Sequence, residues 1–310
     1  MPRVITAADL GEDANVACVS DVVEALHRSG FDPHQESSLL NAAGLLRQLG
    51  NNRDFLAERM IESLKATDGT HDAPSNYGPQ VIMLSPAAGE FFLRANIWPS
   101  EQEHMFRASG GASFVYGLPH DHNFDFLSIG YFGTGYWSDY YEYAYDQVDG
   151  WSGEPAGLRF VERSRQSEGK ILHYRAHRDV HRQLAPDSLS VSLNIMHTSP
   201  AQSWLDQYRF DVDENRIAGV LNHGASEVFM RVAVAMGSDD ASDLAERFGK
   251  SHASDRMRLV AWEALAAQQG DPGARDAVWR SAELQGSRMV AMEARQRRDA
   301  LAARMAVLDA

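Results

Sequence analysis

The sequence predicts a mainly β core with a helical segment on each side. Short runs rich in Val, Ile, Phe, Tyr and Leu, broken by Gly, Pro, Asn and Asp, extend from about residue 81 to about residue 211. Before and after this stretch, apolar residues recur at helical spacing instead. Many short strands at this spacing favour a sandwich or a barrel over alternating βα units. We therefore expect a β barrel between two helical segments.

The N-terminal segment, residues 1–78, is predicted to be helical. Leu39, Leu46 and Leu49 belong to one apolar stripe at helical spacing. Asp21 stands where a shorter helix is expected to begin and is predicted to cap it. We expect both helices to serve packing.

The central segment, residues 79–212, is predicted to form the barrel. Its strand-like runs are Val81–Leu84, Glu90–Ile97, Ser113–Tyr116, His120–Tyr131, Tyr136–Tyr145, Leu158–Arg163, Ile171–Arg175, Ser188–Met196 and Gln207–Asp211. The Gly-Thr-Gly sequence at 133–135 lies between two runs and predicts a hairpin turn. Residues 213–237 are interpreted as a strand or connector that finishes the barrel.

The C-terminal segment, residues 238–310, is predicted to be helical again. Ser242, Ser254 and Ser287 each stand where a helix N-cap is expected. Ser-Arg-Met or Ser-Asp-Arg-Met patterns recur about thirty residues apart and hint at a helical repeat. Apolar stripes predict that these helices pack on the outside of the barrel or against a second protomer. A homodimer is therefore one expected assembly.

Histidines in the run His120–Tyr131 indicate a metal site. His120 and His122 are two residues apart, so on a strand both imidazoles point to one face. A helix would separate them around its axis, and the interpretation therefore requires a strand. His181 follows Asp and Val just before the run Ser188–Met196 and is the best third ligand. Three neutral imidazoles suit Fe, Ni, Cu or Zn and leave positions for substrate and dioxygen.

This arrangement resembles the cupin superfamily, and more narrowly the thiol dioxygenase (cysteine dioxygenase-like) group, over roughly residues 80–212. The resemblance is carried by the His-Asp-His motif at 120–122, by the later His181, and by Ser-Leu-Asn at 192–194 in place of the group's Ser-Leu-His. It implies a cupin-type double-stranded β-helix (jelly-roll) barrel and a mononuclear non-haem iron centre. Asn194 and Met196 stand where the group has a histidine and a tyrosine, so free cysteine is a doubtful substrate.

Two charged residues are candidates for a catalytic role. The resemblance places Arg94 where the group has an arginine that binds the substrate carboxylate. A buried arginine cannot lose its charge and needs an anion, which is either such a substrate or an internal carboxylate. If the turn centres on Thr134, Glu142 lies opposite Phe126 and on the face of His122. A slip of one residue would turn Glu142 outward.

Composition excludes several classes of protein. Lys and Arg total 29 and Asp and Glu total 43, and the net charge of −14 argues against nucleic acid or an anionic membrane as the main partner. Cys18 is the only cysteine, which excludes an intrachain disulfide and a multi-cysteine metal site. No apolar run has the length of a membrane span and no signal-peptide core is present, so a cytoplasmic protein is expected.

The function expected from these observations is a three-histidine cupin oxygenase that uses Fe(II), or another divalent metal, and dioxygen. Its substrate is expected to be anionic, either a small amino-acid-like molecule or a group carried on a peptide. One alternative is a metal-binding cupin that senses or binds a ligand without turnover. Another is a metal-dependent isomerase or lyase, because cupins host many chemistries and the fold alone decides nothing.

Overall fold

The computed structural model describes residues 1–66, 80–87 and 89–308 and divides the chain into two compact units. The first unit comprises Met1–Tyr145 and Gly157–Gln202, and the second comprises Asp146–Ala156 and Ser203–Ala310. The predicted boundary between residues 78 and 79 lies outside the described residues. Within the described ranges, no helix has both the length and the apolar character needed to cross a bilayer.

The helices of the first unit lie mainly in its N-terminal part, as the apolar stripes predict. They are α1 Ala7–Leu10, α2 Val19–Ser29, α3 Glu36–Asn51, α4 Phe55–Ala66 and α5 His104–Ser109. α2 begins two residues before Asp21, whose carboxylate accepts a hydrogen bond from the backbone N–H of Cys18. Asp21 therefore lies in the first turn and Cys18 is the N-cap. The predicted strand Ser113–Tyr116 does not form, because its first two residues end a 3₁₀ turn, Gly111–Phe114, and its last two lie in the turn that follows.

Two antiparallel sheets make up the β part of the first unit as described. One has the order β1-β7-β4-β9-β3-β2, with β1 Arg3–Ile5, β2 Val81–Met83, β3 Phe91–Trp98, β4 Phe126–Phe132, β7 Ile171–Tyr174 and β9 Ser190–His197. The other has the order β6-β5-β8, with β5 Trp137–Glu142, β6 Arg159–Arg165 and β8 Asp179–Leu184. The described strands form open sheets, so the expected closed barrel is absent from them.

The predicted hairpin at residues 133–135 is wrong, because the strands on its two sides belong to different sheets. β4 pairs with β7 and β9, whereas β5 pairs with β6 and β8. A Cβ atom at Gly133 would lie 2.2 Å from the carbonyl oxygen of Leu189, and one at Gly135 would lie 2.0 Å from that of Gln166. Both glycines have positive φ angles. They let the chain pass close to two distant backbone segments as it crosses between the sheets.

The two faces of the six-stranded sheet pack against different partners. Leu127 and Ile129 of β4 are buried in a cluster with helical residues such as Leu46. Phe126 belongs to a second buried cluster with Tyr140 of β5, which lies in the other sheet. Side chains alternate along a strand, so one face carries the helices and the other faces the three-stranded sheet. The candidate site lies on this second face.

The second unit contains a two-stranded sheet and five helices among the residues described. The elements are β10 Tyr208–Asp211, β11 Arg216–Val220, α6 Ala225–Ala235, α7 Asp239–Ser251, α8 Asp255–Ala267, α9 Pro272–Glu283 and α10 Arg288–Leu308. Residues 213–237, interpreted as finishing the barrel, thus contain β11 and α6. Ser254 and Ser287 accept hydrogen bonds from backbone N–H groups three residues on, as predicted. α7 begins after Ser238 rather than at Ser242.

Candidate metal centre

The backbone brings His120 and His181 side by side. His181 lies on β8, and His120, which precedes β4, pairs with it in an isolated antiparallel bridge. The N–H of His120 donates to the carbonyl of His181 over 3.1 Å, and the reverse hydrogen bond is 3.0 Å long. Side chains of two residues paired in this way lie on the same side. Only one β-bridge forms in place of the strand expected over residues 120–125. This bridge suffices to align the imidazoles of His120 and His181.

His122 completes a cluster of three buried imidazoles. Its ring centroid lies 4.9 Å from that of His120 and 5.0 Å from that of His181, and the latter two centroids are 4.6 Å apart. One nitrogen atom from each ring can be chosen so that all three lie within 4.8 Å of one another. Among the described residues, no other group of three His, Cys, Asp or Glu side chains meets this condition.

The distance between the facing nitrogens of His120 and His181 is that expected between two nitrogen ligands of one metal ion. Their Nε2 atoms are 3.2 Å apart. Two imidazole nitrogens bound to one ion at about 2.1 Å and at about 90–110° to each other are separated by about 3.0–3.4 Å. The separation of these two nitrogens therefore matches that of two ligands of one divalent ion.

A hydrogen bond orients the ring of His120 for metal binding. Its Nδ1 lies 2.9 Å from the carbonyl oxygen of Leu118, which can only accept, so Nδ1 carries the proton. The Nε2 lone pair consequently points into the cluster, which is the arrangement found for metal-bound histidines. The Nδ1 atoms of His122 and His181 are buried without a hydrogen-bond partner among the described residues. Their rings consequently lack the second contact that holds His120.

Burial keeps the cluster uncharged. Loss of solvation lowers the pKa of His120, and the hydrogen bond to Leu118 only partly opposes it. The pKa values of His122 and His181 are depressed further, first by burial and then by neighbouring rings, with a contribution from Arg94 at His122. Neutral imidazole is the form that binds a metal. The three side chains are therefore in the metal-binding protonation state at neutral pH.

The cluster forms part of the wall of a small polar cavity of about 150 Å³. The other lining residues are Gln80, Val81, Arg94, Asn96, Trp98, Val115, Phe126, Tyr136, Gln183 and Asn194. Arg94 lies on β3 directly opposite Asn194 of β9 in the strand register. The structure thus places Arg94 in the same cavity as the three histidines. In this first unit, strands of both sheets contribute to the wall.

Three tyrosines form a hydrogen-bonded chain beside the histidines. The hydroxyl of Tyr174 lies 3.2 Å from that of Tyr136 and 3.1 Å from that of Tyr140. Burial raises the pKa of all three hydroxyl groups, so they remain protonated at neutral pH. The ring of Phe126 stacks on Tyr174 with centroids 4.3 Å apart, next to the ring of His122. Tyr136, which stands at one end of this hydrogen-bonded chain, is also one of the residues that line the cavity.

Glu142 lies away from the cavity, and its predicted place beside His122 is wrong. Its carboxylate accepts hydrogen bonds from Arg175 over 3.0 Å and from Arg159 over 2.8 Å. The prediction depended on a β4–β5 hairpin that would set Glu142 opposite Phe126. Phe126 instead faces residues of β7 and β9, because β4 and β5 belong to different sheets.

The aspartates next to the histidines also bind other partners. Asp121 accepts a hydrogen bond of 2.5 Å from the hydroxyl of Tyr143, and Asp125 lies 3.0 Å from Nε2 of His173. Neither aspartate lines the cavity.

Several cavity residues were missed by the sequence analysis. Gln183 is two residues from His181, and Asn96 is two residues from Arg94, so strand parity alone places each on the same face as its neighbour. Both are buried in the cavity wall. Parity could therefore have identified them. Tyr136 offers no such signal, because it precedes β5 and enters the site only through the crossing at residues 133–135.

Comparison with known proteins adds little to this picture. No family model matches the chain, and no curated protein does. Among solved structures, vicilin from hazelnut (Corylus avellana) is similar at 11% sequence identity and a TM-score of 0.20, over 49% of this chain and 42% of the vicilin chain. The chain thus spans less than half the length of that vicilin chain. A likeness of this size does not identify a fold or a function.

Proposed function

We propose that the three-histidine cluster binds a divalent transition metal, Fe(II), and that the protein is a mononuclear non-haem oxygenase for a small anionic substrate. The observation that carries the proposal is the convergence of three buried, neutral imidazoles on the wall of a polar cavity. His120, His122 and His181 would be the protein ligands.

The strand connections support a cupin-type jelly-roll as the scaffold of this site. Consecutive strands of the first unit fall in different sheets at four places, from β4 to β5, from β6 to β7, from β7 to β8 and from β8 to β9. Such crossings between two facing antiparallel sheets are characteristic of double-sheet jelly rolls. In this proposal the first unit is an open variant of that architecture.

The donor set favours a redox-active or Lewis-acidic ion over Ca²⁺ or Mg²⁺, which prefer oxygen ligands. Three imidazoles add no negative charge, so a bound Fe(II) would retain its full charge and offer open positions to dioxygen and an anionic substrate. Other imidazole-binding metals, Zn, Ni and Cu, fit the same three nitrogens, so the identity of the ion has to be measured.

The cavity limits the substrate to a small molecule or to one group of a larger one. A dry cavity of about this volume holds a molecule the size of benzene. Arg94 would form a charge-assisted hydrogen-bonded pair with a carboxylate of the substrate. The buried amides of Asn96, Gln183 and Asn194 would bind its remaining polar groups. An amino-acid-like carboxylate, or a terminal group of a peptide, meets these requirements.

Oxygen uptake by the Fe(II)-loaded protein tests the proposal. A panel of small carboxylates, amino acids and thiols should contain a compound that stimulates uptake in the wild-type protein and not in the His181→Ala variant. His104→Ala is the matched control, because His104 is exposed on α5 and does not line the cavity. A panel compound that binds without consuming oxygen would identify a ligand-binding protein, and conversion without oxygen would indicate an isomerase or lyase.

A further inference from the structure

The second unit carries a groove whose lining is dominated by arginine. The groove has a volume of about 520 Å³, and its polar and aromatic lining consists of Arg231, Glu263, Arg275, Trp279, Arg297 and Arg304. These residues come from α6, α8, α9 and α10. We call this surface the arginine groove. Four guanidinium groups face one carboxylate there, in a protein whose net charge is −14.

One of the four arginines is neutralised within the unit. Arg297 forms ion pairs with Glu263 and Glu293, and its guanidinium lies 5.1 Å from the ring centroid of Trp279. The only carboxylate of the groove, that of Glu263, is therefore already engaged.

The other three arginines have no carboxylate partner in the part of the chain that the structure describes. Arg231 and Arg304 are exposed and form no ion pair with a described residue. Arg275 donates to the carbonyl of Gln269 over 2.7 Å, but its Nε is buried without a hydrogen-bond partner among those residues. A buried donor without a partner is costly, and guanidinium groups that share a groove repel one another. An anion in the groove would relieve both costs.

The shape and the apolar residues of the groove indicate what kind of anion it binds. Ala266, Ala267 and Ala300 are small, and together with Leu301 they supply the apolar part of the lining. Arg231 and Arg304 lie on different helices and are both exposed, so the charges are spread over a surface open to solvent. An extended ligand with several carboxylates and small apolar groups complements this pattern better than a compact ion.

We infer that the arginine groove binds an acidic peptide segment of a partner protein. Its carboxylates pair with Arg231, Arg275 and Arg304, and its small apolar side chains contact the alanine and leucine residues of the groove. Arginine suits this role because its planar group binds carboxylate in a bidentate manner. The groove shares no lining residue with the cavity of the histidine cluster, and the inference does not depend on the function proposed for that cavity.

Fluorescence anisotropy of a short labelled peptide of glutamate and alanine, titrated with the full-length protein, tests this inference. The glutamate peptide should bind, a matched glutamine–alanine peptide should bind at least about tenfold more weakly, and affinity should fall as salt rises from about 0.05 to about 0.5 M. The Arg231→Ala/Arg304→Ala variant should bind the glutamate peptide about tenfold more weakly than the wild type. Arg295→Ala is the control, because Arg295 is exposed on α10, outside the groove and without a described ion-pair partner.

Four results would overturn the inference. One is equal binding of the glutamate and glutamine peptides. Another is an equal loss of affinity in the Arg295→Ala control. A third is tight binding of pyrophosphate by a protein that shows no binding of the glutamate peptide, which would indicate a site for a small anion. The fourth is stronger binding of a single-stranded oligonucleotide than of the glutamate peptide, which would indicate a nucleic-acid surface instead.

Discussion

The backbones of His120 and His181 are joined by two reciprocal hydrogen bonds, and their Nε2 atoms face each other at 3.2 Å. These residues are sixty-one positions apart in the sequence. The backbone pairing places the two rings side by side, and the hydrogen bond from Nδ1 to the carbonyl of Leu118 also orients the ring of His120. Two ligands of the candidate centre are therefore held in position before any ion binds, which lowers the reorganisation that binding requires.

Arg94→Gln should separate substrate recognition from metal binding. If Arg94 binds the substrate carboxylate, its loss should raise KM strongly while the metal content stays normal, because binding in the ground state is removed. Steady-state kinetics on a substrate found by oxygen uptake, with metal analysis of the same sample, checks both effects. Arg107→Gln, at an exposed position on α5, should alter neither quantity. An unchanged KM would remove Arg94 from substrate binding.

Asp139 should stabilise the three-stranded sheet at neutral pH and lose this effect in acid. Its buried carboxylate accepts hydrogen bonds from Arg163 of β6 and Arg182 of β8. The hydrogen bond to Arg163 lowers the pKa of Asp139, with a further contribution from Arg182 against the effect of burial. Because the folded-state pKa is depressed, the contribution is complete above the unfolded value of about 3.9 and disappears as pH falls through the folded value.

Urea unfolding of the Asp139→Asn variant at several pH values tests this expectation. The variant should be less stable than the wild type between about pH 5 and pH 7, and the difference should shrink below about pH 4. Asp187→Asn is the control, because Asp187 is exposed and pairs with Arg165 at the surface. A difference in unfolding free energy that stays constant down to the lowest pH would contradict the assignment.

Alanine substitutions at two glycines of the first unit should change the free energy of unfolding in opposite directions. A Cβ atom at Gly130 on β4 would lie 2.2 Å from the carbonyl oxygen of Ser167, whereas one at Gly44 in α3 has no atom within 4 Å. Gly130→Ala should lower the free energy of unfolding by about 1–3 kcal/mol. Gly44→Ala should raise it by about 0.5–1 kcal/mol, since alanine favours a helix interior. Chemical denaturation measures both, and equal effects would refute the packing described at Gly130.

Two serines of the second unit provide a similar matched pair. Ser254 caps α8 and accepts a hydrogen bond from the backbone N–H of Met257, whereas Ser242 lies inside α7, which begins after Ser238. Ser254→Ala should cost about 0.5–2 kcal/mol of stability. Ser242→Ala should cost much less, because no helix begins there. A larger loss at Ser242 would contradict the observed helix boundary.

Local sequence patterns predicted that the three histidines lie together and that the flanking segments are helical. The predictions from local patterns failed where contacts between distant backbone segments determine the structure. The spacing of His120 and His122 was informative even though residues 121–125 are not in a strand, because the bridge to His181 restores the alignment. Gly133 and Gly135 have the composition of a hairpin turn. Their conformation is set by close approach to Gln166 and Leu189, which no local pattern contains.

The error at Glu142 follows from the same cause. Its predicted position was derived by counting residues across a hairpin that does not form, and register on a strand can be counted only when the pairing partner is known. Parity within one strand needs no such partner. That is why Gln183 could have been inferred from His181, whereas the place of Tyr136 could not.

Metal content after loading with Fe(II) under anaerobic conditions and desalting is the most direct test of the central proposal. The wild type and the His104→Ala control should each retain about one ion per chain. His120→Ala, His122→Ala and His181→Ala should each lose most of the metal while their circular dichroism spectra and unfolding transitions remain close to those of the wild type. Full metal retention by all three folded variants would contradict the proposed centre.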